Sequence, residues 1–331
     1  MTSGGALPPG PEGLSCYTAN LAVYLAGSEE DAVGRIARSV RLAVRTDLGD
    51  DMLAFSHHRT PLDGGRLEYR GAGDAGTALD GISAEIEQAG RCLVVANTGF
   101  LDWSTAGLEA QAPYLLLVED RRRDEWHVVD RFTALLPSGG DQRPFTGWVS
   151  SATLGRCLTP IVPLPPEQRL RNALAFGFPR PLPRDGHYQW LERTERLAPE
   201  PARLDGRWLL ETDAALAHLG EFWAGIDRSP ERARLLDDMW AAAQHNVFRY
   251  AYLLATTEEH PILDQARRAW RDLPMALRFA VDSARRGRHR PTLVASTFEA
   301  LRRVEHDAAS LLEEGEPAWN DPSRTPSGIS R

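Results

Sequence analysis

The stretch Gly13-Leu14-Ser15-Cys16-Tyr17-Thr18-Ala19-Asn20-Leu21-Ala22-Val23-Tyr24-Leu25 decides how the rest of the chain is read. Ahead of it, Leu7-Pro8-Pro9-Gly10-Pro11-Glu12-Gly13 carries three prolines and two glycines and continues no helix. Ser15 then stands as an N-cap, an apolar pattern starts at once, and Cys16 falls in the first turn of a helix. The unpaired N–H groups and the positive end of the helix dipole favour an anion there, which biases a thiol toward the nucleophilic thiolate. Leu21, Val23, Tyr24 and Leu25 make the helix hydrophobic nearly all round, so it is expected to be buried. A buried cysteine is also commonly an inert core residue, and this window leaves both readings open.

At 331 residues the chain is long enough for two domains, and 42% hydrophobic with 25% charged is ordinary for a soluble globular protein. All 38 basic residues are arginine, a trait of high-GC coding sequence that carries no weight for function. A net charge of −8 argues against nucleic acid, since no basic stripe is available to neutralise phosphates. Cys16, Cys92 and Cys157 are scattered without CxxC spacing, so neither a disulfide framework nor a zinc site is expected. There is no basic segment followed by an apolar core, and no apolar run near the ~18 residues that span a bilayer. No membrane partner is expected, and a cytoplasmic location is.

Residues 29–45 show helical periodicity through Val33, Ile36, Val40 and Val44. Met52–Ser56 is strand-like and runs into His57-His58, and Thr77–Ala89 reads as a helix ended by Gly90. Cys92–Ala96, Tyr114–Val118 and Trp126–Asp130 are short apolar runs, the last two joined as an antiparallel hairpin. Helices followed by consecutive strands give an α+β order rather than a βαβ alternation. Nine prolines between 160 and 201 mark a connector with one short helix around 168–175. Helical patterns follow at 212–224, 230–254, 260–286 and 290–314. Trp223, Trp240, Phe248, Tyr252 and Trp270 recur at helical spacing, as in a bundle core. The expected organisation is residues 1–160 as an α+β domain, 161–203 as connector, 204–315 as helical domain, and 316–331 as a disordered tail.

A nucleophilic cysteine needs a base in reach and a group to orient that base. The hairpin is where such a partner is expected, and Asp130 at its end is either an orienting carboxylate or a cap of the next turn. Ser15-Cys16-Tyr17-Thr18-Ala19-Asn20-Leu21-Ala22-Val23, then Pro113–Val118, then Trp126-His127-Val128-Val129-Asp130-Arg131-Phe132, with an all-helical second half, resembles the butirosin biosynthesis protein H family. Its N-terminal domain is similar to the C39-type, papain-like cysteine peptidases. The resemblance implies a papain-like α+β domain followed by an all-α domain. It implies a cysteine acyltransferase of natural-product and antibiotic assembly, with Cys16 as nucleophile and Asp130 as orienting acid. The implied partners are an acyl carrier protein, whose phosphopantetheine arm brings the acyl or aminoacyl thioester, and a small-molecule amine acceptor. No cofactor of its own is implied, and the sequence does not separate a monomer from a homodimer.

One position departs from the family pattern. The histidine expected just after Pro113 is Tyr114, and a phenol with an ordinary pKa near ~10 is a poor general base at neutral pH. Three explanations stand. Another histidine substitutes: His57 or His58 from a neighbouring loop, or His127, which strand alternation turns away from Asp130. Or no base is needed, and Tyr114 donates a hydrogen bond to the acyl oxygen or holds substrate. Or catalysis is lost and the cleft binds a ligand or carrier. For the oxyanion the candidates are the Cys16 N–H, Asn20 one turn on, and Asn97, for which an ordinary turn role competes. Gly64-Gly65 and Gly71-Ala72-Gly73 lack a phosphate-cradling helix, so nucleotide binding is not expected. His57-His58 lacks further ligands at metal spacing. The arginine runs 121–123 and 285–290 are solvated faces or contacts to an acidic carrier.

Overall fold

Ser15 caps the helix that the sequence calls for. In the computed structural model, which describes residues 10–27, 30–49, 51–104, 111–137, 140–195, 204–226, 230–257 and 260–315, the Ser15 hydroxyl accepts from Thr18 N at 3.2 Å. Helix α1 (Cys16–Ala26) starts at once, and eight of its residues are buried, Leu21 and Leu25 among them. Each such leucine withdrawn from water stabilises the fold by about 1.5–3 kcal/mol. The chain continues through α2 (Ala32–Ser39), β1 (Val40–Arg45), β2 (Ala54–His58), β3 (Leu67–Ala72), α3 (Ala75–Ala89) and β4 (Cys92–Asn97). Then come β5 (Pro113–Arg122), β6 (Glu125–Asp130), β7 (Ala134–Leu135), β8 (Asp141–Gln142), β9 (Phe145–Ser150), α4 (Ser151–Cys157) and α5 (Pro166–Ala173). Strands β10 (Tyr188–Arg193) and β11 (Trp208–Leu209) precede α6 (Thr212–Ala224), α7 (Leu236–Thr256), α8 (Pro261–Arg285) and α9 (Pro291–Gly315).

The architecture is α+β. Six antiparallel strands form the main sheet in the order β3-β10-β4-β5-β6-β9. Alternation along β5 sends Leu115 and Leu117 into a core shared with Leu21, Leu25, Leu93 and Val129, while Leu116 and Val118 join Ile82, Val94, Trp126 and Leu154. Cys16 touches both cores. The expected β5–β6 hairpin forms, with Leu117 opposite Val129 and Val118 opposite Val128.

Two expectations need correction. Residues 29–45 are not one helix: α2 ends at Ser39 and β1 begins at Val40. Val40 and Val44 lie four apart, a spacing that fits both the helical and the strand period, and β1 joins a second sheet of order β11-β1-β2. Nor is 161–203 a plain connector, because β10 sits inside the main sheet between β3 and β4. The buried Asp63–Arg180 pair, at 2.6 Å, and Asn172, which accepts from Tyr17 Oη, tie the same region to the sheet and to α1. The tail 316–331 lies outside the described residues.

The helices α6 to α9 pack with β1 and β2 around Trp223, Met239, Tyr250, Trp270 and Phe298. The aromatic stripe is only partly bundle core: Trp223 and Trp270 are inside it, Phe248 packs instead against the core of α1, and Trp240 reaches Phe132. Among the described residues no helix is long and apolar enough to cross a membrane.

Candidate active site

Cys16, the first residue of α1, is half-buried in the wall of a cavity of about 550 Å³. The cavity is walled by Pro113 and Tyr114 of β5, Phe132 and Gln142 beyond the hairpin, Arg171 of α5, and Asp237, Asp238 and Trp240 at the start of α7. It therefore lies where the N-terminus of α1, the hairpin and the helical half meet.

The sulfur sits between opposed influences. Burial is the largest and pushes the thiol up to about 12, with the Asp130 charge adding to it. The N–H groups of Leu115 and Tyr17, which point at the sulfur, and the Arg171 charge pull the other way and lose. The thiolate bias expected from the helix terminus is thus outweighed, because removing the anion from water costs more than a few partial charges return. In the resting protein Cys16 is a thiol.

Asp130 is fully buried and takes five donors: Asn20 Nδ2 at 3.0 Å, Phe132 N at 3.0 Å, Trp103 Nε1 at 2.8 Å, Tyr114 Oη at 2.9 Å and Gln142 Nε2 at 3.4 Å. Burial raises this carboxyl and the donors oppose the rise. It caps the turn at Phe132 and also accepts from the group at position 114. That group is a phenol pushed well above its ordinary value by burial and by the Asp130 charge, so it stays protonated. Its one hydrogen goes to Asp130, which leaves none for an acyl oxygen; Tyr114 as an oxyanion donor is ruled out in this arrangement.

Asn20 is likewise committed. Both its amide hydrogens are engaged, with Leu115 O at 2.7 Å and with Asp130, and its Oδ1 accepts from Arg131 N at 2.8 Å. It orients Asp130 rather than offering an oxyanion donor. Asn97 does not line the cavity: it accepts from Gly99 N at 3.0 Å and donates to Gln111 and to Thr159 O, the turn role that competed at the sequence level. By position, the Cys16 N–H at the open end of α1 has no acceptor inside the helix and is the donor that remains.

His57 and His58 belong to β2, not to a loop, and lie on the other side of α1. His57 stacks on His245 of α7 at 4.4 Å, and Thr18 Oγ1 lies 3.0 Å from His245 Nε2 and 3.4 Å from His58 Nε2. Burial pushes His245 down to about 4 and the other two well below their ordinary value, so all three are neutral near pH 7. His57 and His58 line a smaller cavity that shares Arg171 and Asp238 with the larger one. His127 is partly exposed and sits 3.5 Å from Glu119. No histidine therefore stands in the Cys16 cavity among the described residues. Nor does any group of three or more His, Cys, Asp or Glu among them make a metal centre.

No motif or spacing in the sequence singles out Trp103, Gln142, Arg171, Asp238 or His245. Arg171 pairs with Asp238 at 2.6 Å and is held up by that charge. Asp237 and Asp238 stand in the first turn of α7, where acids also complement the helix dipole. No protein-family model matches the chain, and no curated protein matches it. The chemistry of the site rests on its own geometry.

Proposed function

We propose that the chain is a cysteine-dependent acyl or aminoacyl transferase of natural-product assembly, built on a papain-like arrangement with a helical second half. In this reading it takes its acyl group from a carrier-protein thioester onto Cys16 and passes it to a small-molecule amine. The observation that carries the reading is the placement of Cys16 at the head of a buried helix, in the wall of a roomy cavity, with Tyr114 in another part of that wall and the buried Asp130 accepting its hydrogen bond from behind.

Transfer onto Cys16 forms a sulfur–acyl bond and breaks the donor's; the Cys16 proton ends on the departing thiol. Aminolysis forms the C–N bond and returns a proton from the amine to Cys16. Neither half consumes a proton overall, so the cycle needs a relay rather than a permanent base. The oxygen of Tyr114, whose hydrogen faces Asp130, keeps acceptor capacity for such a relay. A peptidase is disfavoured, because amide cleavage needs an acid for the leaving amine, the work an imidazole does.

A second reading, a catalytically impaired homologue acting as a binding or scaffold protein, is favoured by the thiol raised to about 12 and by the absence of an imidazole from the cavity among the described residues. Incubating the protein with an acyl N-acetylcysteamine thioester and a primary amine separates the two. Amide formed by the native chain and not by Cys16→Ser supports transfer; equal background rates from both support the scaffold.

A further inference from the structure

The connection between α7 and α8 is four residues long, so the two helices run antiparallel, and the C-terminus of α8 returns to the end of α7 that lines the cavity. At ~1.5 Å per residue, the longer α8 overshoots the start of α7 by about one turn. That end combines exposed apolar side chains with a run of arginines. Met275 and Phe279, one helical turn apart on α8, are 76% and 53% exposed, and Leu293 at the start of α9 is 38% exposed. Arg290 lies over the Phe279 ring at 5.9 Å, which joins the two helices into one patch. Residues 278–293 hold five arginines and one acid, Asp282, in a chain whose net charge is −8; Arg278 and Arg285 lie within 4.0 Å of that acid.

We propose that this patch is the docking surface for an acidic amphipathic helix of the acyl-carrying protein, an inference that rests on the transferase reading above. The arithmetic of charge favours such a partner: arginines around an apolar centre match acids around an apolar stripe, and they steer it to the cavity end of the helical half. An adaptable methionine beside a rigid phenylalanine suits a helix laid across the α8–α9 turn. A second copy of this chain is the poorer occupant, because a two-fold contact would set arginine against arginine.

The test uses the full-length chain with an acetylated acyl carrier protein of a type II fatty-acid synthase, and acetyl N-acetylcysteamine as the donor without a protein. Two variants carry it: the triple change Arg286→Glu, Arg288→Glu, Arg290→Glu, and Phe279→Ala, all at exposed positions. By fluorescence anisotropy the carrier binds the native chain at low salt. The triple variant weakens binding at least about tenfold and added salt does the same, as lost steering requires. Cys16 acetylation from the carrier slows in both variants, while acetylation from the small thioester is unchanged.

Equal carrier binding by native chain and variants, or none by either, overturns the surface. So does a native dimer that Phe279→Ala converts to monomer, or binding to phosphatidylglycerol vesicles in place of the carrier. If the carrier binds with the stated dependence but neither donor labels Cys16, the surface stands and the transferase reading falls.

Discussion

Replacing Tyr114 with histidine asks whether the base is the one missing part of the site. In the native chain burial holds the Cys16 thiol up to about 12. An ordinary cysteine titrates near ~8.5, so the anion is penalised by about 5 kcal/mol. At pH 7 that leaves about one thiolate in 10⁵, against roughly one in 30 for a free cysteine, and alkylation is expected to run about a thousandfold slower or more. An imidazole at position 114 can take the Asp130 bond now made by the phenol at 2.9 Å and turn its other nitrogen to the cavity. A thiolate–imidazolium pair then draws the thiol toward the range of about 3.5–7.5. Iodoacetamide labelling read by peptide mass across pH 6–10 measures this, with buried Cys157, raised to about 11, as an internal slow reference. Tyr114→His should label Cys16 at least about a hundredfold faster at pH 7. A native profile breaking near 8.5 would refute the burial argument. A folded Tyr114→His chain with unchanged labelling would show that position 114 does not reach the sulfur.

Asn20→Ala removes the clamp on Asp130, Leu115 O and Arg131 N, and should destabilise the fold by about 2–3 kcal/mol in a urea melt. If Asn20 were instead an oxyanion donor, stability would hold and only kcat would fall. Asp63→Ala strands the buried Arg180 and the N–H groups of Gly65 and Leu67, and should cost about 3–5 kcal/mol; an unchanged melting midpoint would contradict it. His245 is held down at about 4 in the folded state, so the unfolded chain takes up a proton first as pH falls. Its contribution is whole above about pH 6.5 and lost toward pH 4, up to about 3 kcal/mol in all. Urea midpoints should therefore drop between pH 7 and pH 5, and less steeply in His245→Asn.

Local signals carried much of this molecule. The Ser15 cap, the Gly90 stop, the β5–β6 hairpin and the helices α6 to α9 were legible, because caps, turn chemistry and periodicity each act over a few residues. β10 was not, because Tyr188–Arg193 lies among prolines and its place between β3 and β4 is set by pairing with residues 94–126 positions away. At the site, positions 114 and 130 stood out through the family resemblance, and the hydrogen bond between them is a product of the fold. The charge state of Cys16 did not: a helix terminus can be read from sequence, whereas burial from both cores and the Asp130 field exist only in the fold. Arg171, Asp238 and His245 come from elements that no local pattern places beside α1.

The most direct measurement is the intact mass of the native chain after exposure to a short acyl thioester, followed by peptide mapping. One acyl group on Cys16, absent in Cys16→Ser and discharged by an added amine, is the expected outcome. An unmodified chain, or acylation at another residue while Cys16 stays free, would contradict the claim that this cysteine carries the acyl group.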